Sequence, residues 1–268
     1  MSIFGMKTKA LVAAMAMVAS VGANAAQLSV VSVTGLTNSW VDNGSGVLSS
    51  VPADATSAGV ALGGNAAAPG GNLQLGEFGQ TSGSVTGTGD GHTVTLSSLS
   101  LTDWTASGNA LTNRYIQDAA TAAFGVQLGA VQLAFAIDRF FNKDVVGVYK
   151  PWQLVSDPNV SYVDITGNTI SVGLAGLFDA SPFLSGISGQ QLAPGKQASE
   201  VVKMTVDGSG PIYLYGFAAT ASGVTMFGDP SKTVFSGNYD VKFVPEPAGL
   251  ALVGVGLLGL LVSRRRRT

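Results

Sequence analysis

The stretch Ser84-Val-Thr-Gly-Thr-Gly-Asp-Gly-His-Thr-Val-Thr-Leu-Ser97 carries the clearest fold signal in the chain. Val85, Val94 and Leu96 alternate with small polar residues, a pattern typical of strands with one buried face. Between the two halves, Gly89-Asp90-Gly91 supplies residues that favour a tight turn. The stretch therefore predicts an antiparallel hairpin, within a region of alternation that extends from Ser82 to Asp103.

Toward the N-terminus, the same valine-rich alternation continues and predicts further strands. Leu28 to Gly35 predicts a strand that Asn38 to Val41 extends, and Val47 to Val51 predicts its partner. Asp42-Asn43-Gly44-Ser45-Gly46 lies between them and favours a hairpin turn. Ala58 to Gly79 is rich in glycine and alanine, and Gly63 to Gly71 within it predicts an exposed loop.

The second half of the chain alternates in the same way, with turns at Ser156-Asp157-Pro158-Asn159, at Gly167-Asn168 and at Asp207–Gly210. Phe178 to Gly195 predicts a loop with two prolines, and Val145 to Val155 predicts a strand or an irregular segment. The remaining predicted strands are Val160–Ile165, Thr169–Ala175, Glu200–Val206, Ile212–Ala219 and Asn238–Val244.

Between Thr112 and Asn142 the composition shifts to Ala, Gln, Leu and Phe. Apolar residues at helical spacing predict two helices, about 113–124 and 127–141, with Thr112 or Asn113 as the first cap. A strand remains an alternative at 131–138, because Val131, Leu133, Phe135 and Ile137 also alternate with their neighbours.

The predicted fold is mainly β (α+β): an antiparallel β-sandwich or jelly-roll-like domain with a short helical insertion. We expect an N-terminal signal helix and a C-terminal transmembrane helix in addition. The corresponding segments are residues 1–25, a β-rich extracytoplasmic domain at 26–244, and a terminal sorting segment at 245–268.

The N-terminus has the form of a secretory signal peptide. Lys7 and Lys9 precede an apolar run from Ala10 to Val21, and Ala23 and Ala25 then form an Ala-x-Ala site. Cleavage is expected after Ala25, with Ala26 as the second choice. An uncleaved N-terminal anchor is the alternative.

Charge and composition exclude several classes of function for the body of the chain, residues 26–244. Between Ala26 and Val244 there are eight basic and fifteen acidic residues, which gives 8 − 15 = −7. An acidic body without a basic cluster argues against nucleic acid as a partner. The chain has no cysteine, which excludes thiol catalysis, disulfides and cysteine-ligated metals.

The C-terminus joins three features in order. Pro245, Glu246 and Pro247 come first, the apolar run Ala248 to Val262 follows, and the cluster Arg264, Arg265, Arg266 and Arg267 comes last, before Thr268. The run predicts a membrane helix of minimal length, and the arginines place the body on the far side from the cytoplasm.

This arrangement resembles the PEP-CTERM sorting signal of exopolysaccharide-producing Gram-negative bacteria. The resemblance implies recognition and processing by an exosortase, a membrane-embedded cysteine protease or transpeptidase, and delivery to the outer envelope or extracellular matrix. It covers about the last 25 residues and implies nothing about the activity of the body. A plain membrane anchor is the alternative.

Candidate catalytic and metal-binding residues are sparse. His92 is the only histidine, it lies in a glycine-flanked turn, and the chain has no Gly-x-Ser-x-Gly motif, so neither a Ser-His-Asp triad nor a zinc site is expected. The turns at Asp42, Asp90 and Asp157 have oxygen ligands, but none has the spacing of a calcium loop. We expect no cofactor and no metal.

Two functions remain. The first is an exported, non-enzymatic cell-envelope or matrix protein associated with exopolysaccharide or biofilm, for which sugar stacking on aromatic side chains is one binding mode. The candidate stacking residues are Trp40, Trp104, Trp152, Tyr213 and Tyr215. The alternative is an exported polysaccharide-active hydrolase that uses a pair of carboxylates.

Overall fold

The computed structural model describes residues 26–42, 48–144, 148–177, 180–221 and 237–244. Within these residues the chain forms two large antiparallel sheets, a two-stranded hairpin and five helices. The predicted mainly β, antiparallel fold is confirmed.

The first sheet contains nine strands. Its path is β15-β16-β11-β10-β7-β3-β4, with β1 paired to β10 and β12 paired to β11. The strands are β1 (Ala26–Gln27), β3 (Thr37–Asp42), β4 (Leu48–Pro52), β7 (Gly71–Leu75), β10 (Asn159–Thr166), β11 (Thr169–Leu177), β12 (Ala198–Ser199), β15 (Thr220–Ala221) and β16 (Gly237–Phe243).

The second sheet contains five strands in the order β14-β13-β9-β8-β2. They are β2 (Ser29–Gly35), β8 (Gly83–Gly89), β9 (His92–Ser97), β13 (Val202–Val206) and β14 (Ile212–Leu214). The hairpin predicted from Ser84–Ser97 is confirmed: Gly89 pairs with His92, and Asp90 and Gly91 have positive φ in the turn. A separate small hairpin joins β5 (Gly64–Asn65) to β6 (Ala68–Pro69).

Inward-facing residues of both sheets form one apolar core. Val85 and Leu96 come from the second sheet, and Leu73, Val163 and Val172 come from the first, all fully buried. Helix α1 (Ala55–Ala61) adds Ala58 and Ala61 to the same core. Such alternation of buried and exposed residues is what the sequence pattern indicated.

Four further helices form a second unit, here called the cap. They are α2 (Leu101–Phe124), α3 (Ala130–Asn142), α4 (Pro151–Leu154) and α5 (Ser181–Ser188). The cap has its own core, in which Trp104, Tyr115 and Phe140 are fully buried. Both predicted helices are present, and the strand alternative for residues 131–138 is wrong.

The first cap helix starts earlier than the pattern predicted. The alternation expected to continue to Asp103 stops with β9 at Ser97, because Asp103 accepts hydrogen bonds from Ser100 N and Ser100 Oγ, both at 2.8 Å, and starts α2. Residues 106–109 leave helical geometry and kink α2. Thr112 is therefore not a cap: it is buried, and its hydroxyl donates to Trp104 O at 2.8 Å.

Two segments for which neither a helix nor a strand is predicted are ordered elements. Gly71–Leu75 is strand β7 in the middle of the first sheet, where a Cβ on Gly71 would lie 2.4 Å from Trp40 O. Residues 181–188 form α5 inside the predicted 178–195 loop. Conversely, the strand predicted from Ile212 to Ala219 is only the three residues of β14.

The predicted signal helix, the turn at 43–47 and the C-terminal transmembrane helix lie outside the described residues. Among the helices that the structure describes, none has both the length and the apolar character needed to cross a membrane.

Candidate functional site in the helical cap

The two ends of the described chain lie at the same pole of the sheets. Ala26 pairs with Ile165, Ile165 with Ile170, and Ile170 with Phe243. Three strand spacings of about 4.8 Å separate Ala26 from Phe243, roughly 14 Å in all. We call this end the terminal pole. The predicted signal-cleavage site and the predicted sorting segment therefore adjoin the same end of the body.

The cap lies at the opposite pole. Strand β9 runs away from the terminal pole and leads into α2, β11 does the same and leads into α5, and β10 starts there after α4. Strand β11 alone has nine residues and spans about 27 Å. The cap is thus the part of the body farthest from both processing segments.

Polar contacts join the cap to the second sheet around Asp103. One carboxyl oxygen caps α2, and the other accepts from Lys203 Nζ at 3.0 Å and Tyr213 Oη at 3.1 Å. Burial acts to raise the pKa of Asp103, but the hydrogen bonds from Ser100 and the contact with Lys203 outweigh it and hold the pKa below its usual value. Asp103 is therefore ionised in the folded protein at neutral pH.

We expect Asp103→Ala to lower the free energy of unfolding by about 2 kcal/mol, since it removes a helix cap and leaves two half-buried donors, Lys203 and Tyr213, without their acceptor. The contribution should fade as the pH falls below about 4, because a depressed carboxyl pKa stabilises the fold only while the group is ionised. Urea denaturation at pH 7 and pH 3 measures both effects. Asp138→Ala on the exposed face of α3 is the matched control, and an equal loss for both variants would contradict the assignment.

A cavity of about 520 Å³ lies between α2, α3 and α5. We call it the cap groove. Its walls are almost entirely apolar, and its polar lining consists of Gln132, Ser188 and Gln190. Val131 is 82% exposed, Phe135 52% and Val126 54%, so large apolar side chains face solvent around it. Exposed apolar clusters of this kind mark binding surfaces.

A smaller polar pocket of about 170 Å³ adjoins the cap groove. Ala123 and Leu184 line both cavities, so the two meet at these residues. The pocket also contains Lys196 and Gln197, and we call it the lysine pocket. Lys196 forms no ion pair with any residue that the structure describes. Gln197 Oε1 accepts from Ala219 N at 2.7 Å, which leaves its NH₂ as the remaining hydrogen-bonding group.

Two carboxyl groups lie where the cap meets the first sheet, with Asp157 buried and Glu200 half-buried. Glu200 Oε2 accepts from Asn159 N at 2.7 Å and from Asn159 Nδ2 at 2.9 Å, while Asp157 is 5% exposed. Burial is the main cause that raises the pKa of Asp157 to about 7, and the nearby Glu77 adds to it. Burial, followed by repulsion from Asp157, also raises the pKa of Glu200 well above its usual value. No described cation compensates the pair.

The predicted stacking residues do not form one surface. Trp40 and Trp104 are buried core residues, so the expectation that they offer flat faces for sugars is wrong. Trp152, Tyr213 and Tyr215 are half-buried, and Tyr215 Oη donates to Asp118 Oδ2 at 2.7 Å. Aromatic residues of β-rich proteins pack in cores more often than they face ligands.

His92 is held at the terminal pole by Asp207, with Nδ1 and Oδ2 2.7 Å apart. No group of three or more Asp, Glu or His side chains within the described ranges is arranged to hold a metal ion. Pro245, Glu246, Pro247, the four arginines and Ala23 and Ala25 lie outside those ranges.

Sequence reasoning missed the cap groove and the carboxyl pair. The groove depends on α5, and the available signal was Pro182 at the start and Gly189 just after the end, the usual order of these residues in a helix. The carboxyl pair joins residues 157 and 200, and no local spacing encodes that contact.

Comparison with known proteins gives a match only for the C-terminal residues. No curated protein and no solved structure matches the chain. Residues 243–267 match the PEP-CTERM protein-sorting motif, and the match begins at the last residue of β16. The resemblance inferred from Pro245–Pro247, the apolar run and the arginines is confirmed. The chain carries a PEP-CTERM protein-sorting motif, which implies an exported exosortase substrate sorted to the cell envelope.

Proposed function

We propose that the chain is a non-enzymatic envelope or matrix protein, held in the inner membrane by its C-terminal segment before an exosortase processes it. It then remains with, or is released into, the exopolysaccharide of a biofilm. The observation that carries the proposal is the direct junction between β16 and the sorting motif, with no linker between them. The folded body is thus what the sorting system delivers.

The position of the two chain ends supports a defined orientation. Pro245, Glu246 and Pro247 span at most about 10 Å, so the terminal pole lies close to the bilayer while Ala248–Val262 is inserted. The cap then faces away from the membrane. In this orientation the cap groove faces away from the membrane in which the protein is anchored.

The lining of the cap groove supports a binding role. Its polar side chains are two amides and one hydroxyl, and none of the described residues that line it has an ionisable group for general acid–base chemistry. Ligand sites are typically apolar cavities with a few polar groups that fix orientation.

Intact-mass measurement in the native host tests the sorting proposal. We expect the chain in the medium or outer envelope to lack the residues after about 244–247, and this loss to require exosortase. Membrane and medium fractions of strains with and without exosortase provide the comparison. A full-length chain in both strains would instead identify the C-terminus as a plain anchor.

The second candidate is a polysaccharide hydrolase, which the carboxyl pair Asp157 and Glu200 favours. Perturbed carboxyl pKa values occur often at catalytic sites. Against it, Asp157 is almost fully covered and Glu200 Oε2 is occupied by Asn159. New reducing ends produced from host polysaccharide by the wild-type chain, and not by Glu200→Gln, would establish the hydrolase and overturn the non-enzymatic proposal.

A further inference from the structure

We propose that the cap groove and the lysine pocket together bind a single-chain anionic amphiphile, such as a long-chain carboxylic acid. The apolar chain lies in the cap groove, and the carboxylate meets Lys196. This inference goes beyond envelope sorting and does not depend on exosortase processing.

The first argument for an amphiphilic ligand is the size and lining of the two cavities. A volume of about 520 Å³ lies within the range of roughly 300–1,000 Å³ that is typical of small-molecule sites. The lysine pocket neighbours the groove, with Ala123 and Leu184 lining both, and has mostly polar walls. An apolar trough with one polar end matches a ligand that has an apolar body and one polar end.

The second argument is the positive charge of Lys196. Lys196 has no ion-pair partner among the described residues, and the fixed amide of Gln197 offers a donor beside it. Among the described residues that line the two cavities there is no aspartate or glutamate. Lys196 and the amide of Gln197 therefore favour an anionic ligand, and a charge-assisted hydrogen bond to a carboxylate is stronger than a neutral one.

The third argument is the exposure of apolar side chains at the edge of the groove. Val131 and Phe135 lie one helical turn apart on α3, at the edge of the groove, and both are more than half exposed. Covering such side chains with an apolar ligand removes their surface from water, which is favourable by about 25 cal/mol per Å². A ligand without an apolar chain would gain nothing from this part of the site.

Photolabelling of the full-length chain in nanodiscs of a zwitterionic phospholipid tests the proposal. The probes are a diazirine-bearing C16 carboxylic acid and the matching C16 alcohol, and the labelled peptides are located by mass spectrometry. We expect the acid to label peptides of α2, α3 and α5 at least about tenfold more strongly than the alcohol, as a charge-assisted hydrogen bond of 1.5–3 kcal/mol implies.

Two variant pairs separate the two parts of the site. Lys196→Met should remove the preference for the acid, whereas Lys143→Met, at the exposed end of α3, should leave it unchanged. Val131→Glu should suppress labelling by both probes, because it introduces a charge at the apolar wall, whereas Ala134→Glu should not. Ala134 is exposed on the same helix but does not line the groove, so it controls for helix and charge effects.

Three results would overturn the proposal. They are equal labelling by acid and alcohol in the wild-type chain, labelling confined to residues 248–262, and crosslinks between two copies through the Val131 peptide. The last result would identify a second copy as the occupant. None of these results bears on exosortase processing, so the two proposals fail separately.

Discussion

The folded protein is expected to become less stable as the pH rises from about 4 to about 8, and Asp157→Asn is expected to remove most of this dependence. The pKa of Asp157 is about 7 in the folded chain, because burial disfavours its charged form. In the unfolded chain an aspartate titrates near 4. Unfolding therefore releases a proton between these values, and higher pH favours the unfolded state.

The size of the effect follows from the difference between the two pKa values. About three pH units at roughly 1.4 kcal/mol each amount to about 4 kcal/mol, which is a large part of the stability of an ordinary domain. Burial raises the pKa of Glu200 as well, so Glu200 adds to the loss of stability with rising pH. Glu200→Gln should remove the part of the slope that the titration of Glu200 itself contributes.

Denaturation at several pH values, followed by circular dichroism, measures the slope. The wild-type chain, Asp157→Asn and Glu200→Gln are compared with Asp138→Asn, which changes an exposed carboxylate on α3. A wild-type stability that is flat or rises between pH 5 and pH 8, with no difference between Asp157→Asn and the control, would show that the buried pair is compensated in the folded protein.

The sequence predicted the sheets well because strand signals are local. Val85, Val94 and Leu96 alternate within one hairpin, and Gly89-Asp90-Gly91 specifies the turn between its strands. The strand that leads to the sorting motif was predicted for the same reason, with Tyr239, Val241 and Phe243 at alternate positions. The sorting motif itself is contiguous, so its three parts could be recognised without any fold.

The cap could not be predicted to the same degree because its contacts are distant in sequence. Asp103 reaches Lys203, and the groove joins α2 to α5 across some sixty residues. The alternation of Leu99 and Leu101 favoured a strand, but the local hydrogen bonds of Ser100 and Asp103 formed a helix start instead. Lys196 and Gln197 lie in a segment without periodicity, so only the fold places them beside Ala123.

Trp104→Ala is expected to unfold the cap while the sheets remain folded, with a loss of about 3–5 kcal/mol, as for other large aromatic residues removed from cores. Trp104 is fully buried, and its ring contacts Tyr115 and Phe140 edge-on, with centroids 5.6 Å and 5.0 Å away. Its Nε1 also donates to Ser156 Oγ at 2.8 Å. This side chain therefore joins α2, α3 and the segment after α4.

The loss should be confined to the cap because the cap core is separate from the core between the sheets. Hydrogen exchange followed by mass spectrometry tests this: amides of α2 and α3 should lose protection in Trp104→Ala, and those of β8 and β9 should keep it. Trp104→Phe should cost less, since it retains an aromatic ring and removes the hydrogen bond to Ser156.

Leu101→Ala is the matched control, because Leu101 lies in the same helix and is 46% exposed. Its effect should remain within about 0.5 kcal/mol, as is usual for surface positions. Uniform loss of protection across cap and sheets in Trp104→Ala would instead mean that the two cores unfold as one cooperative unit. In that case the cap groove would persist only while the whole body is folded, and a ligand bound in it would stabilise both sheets as well as the cap.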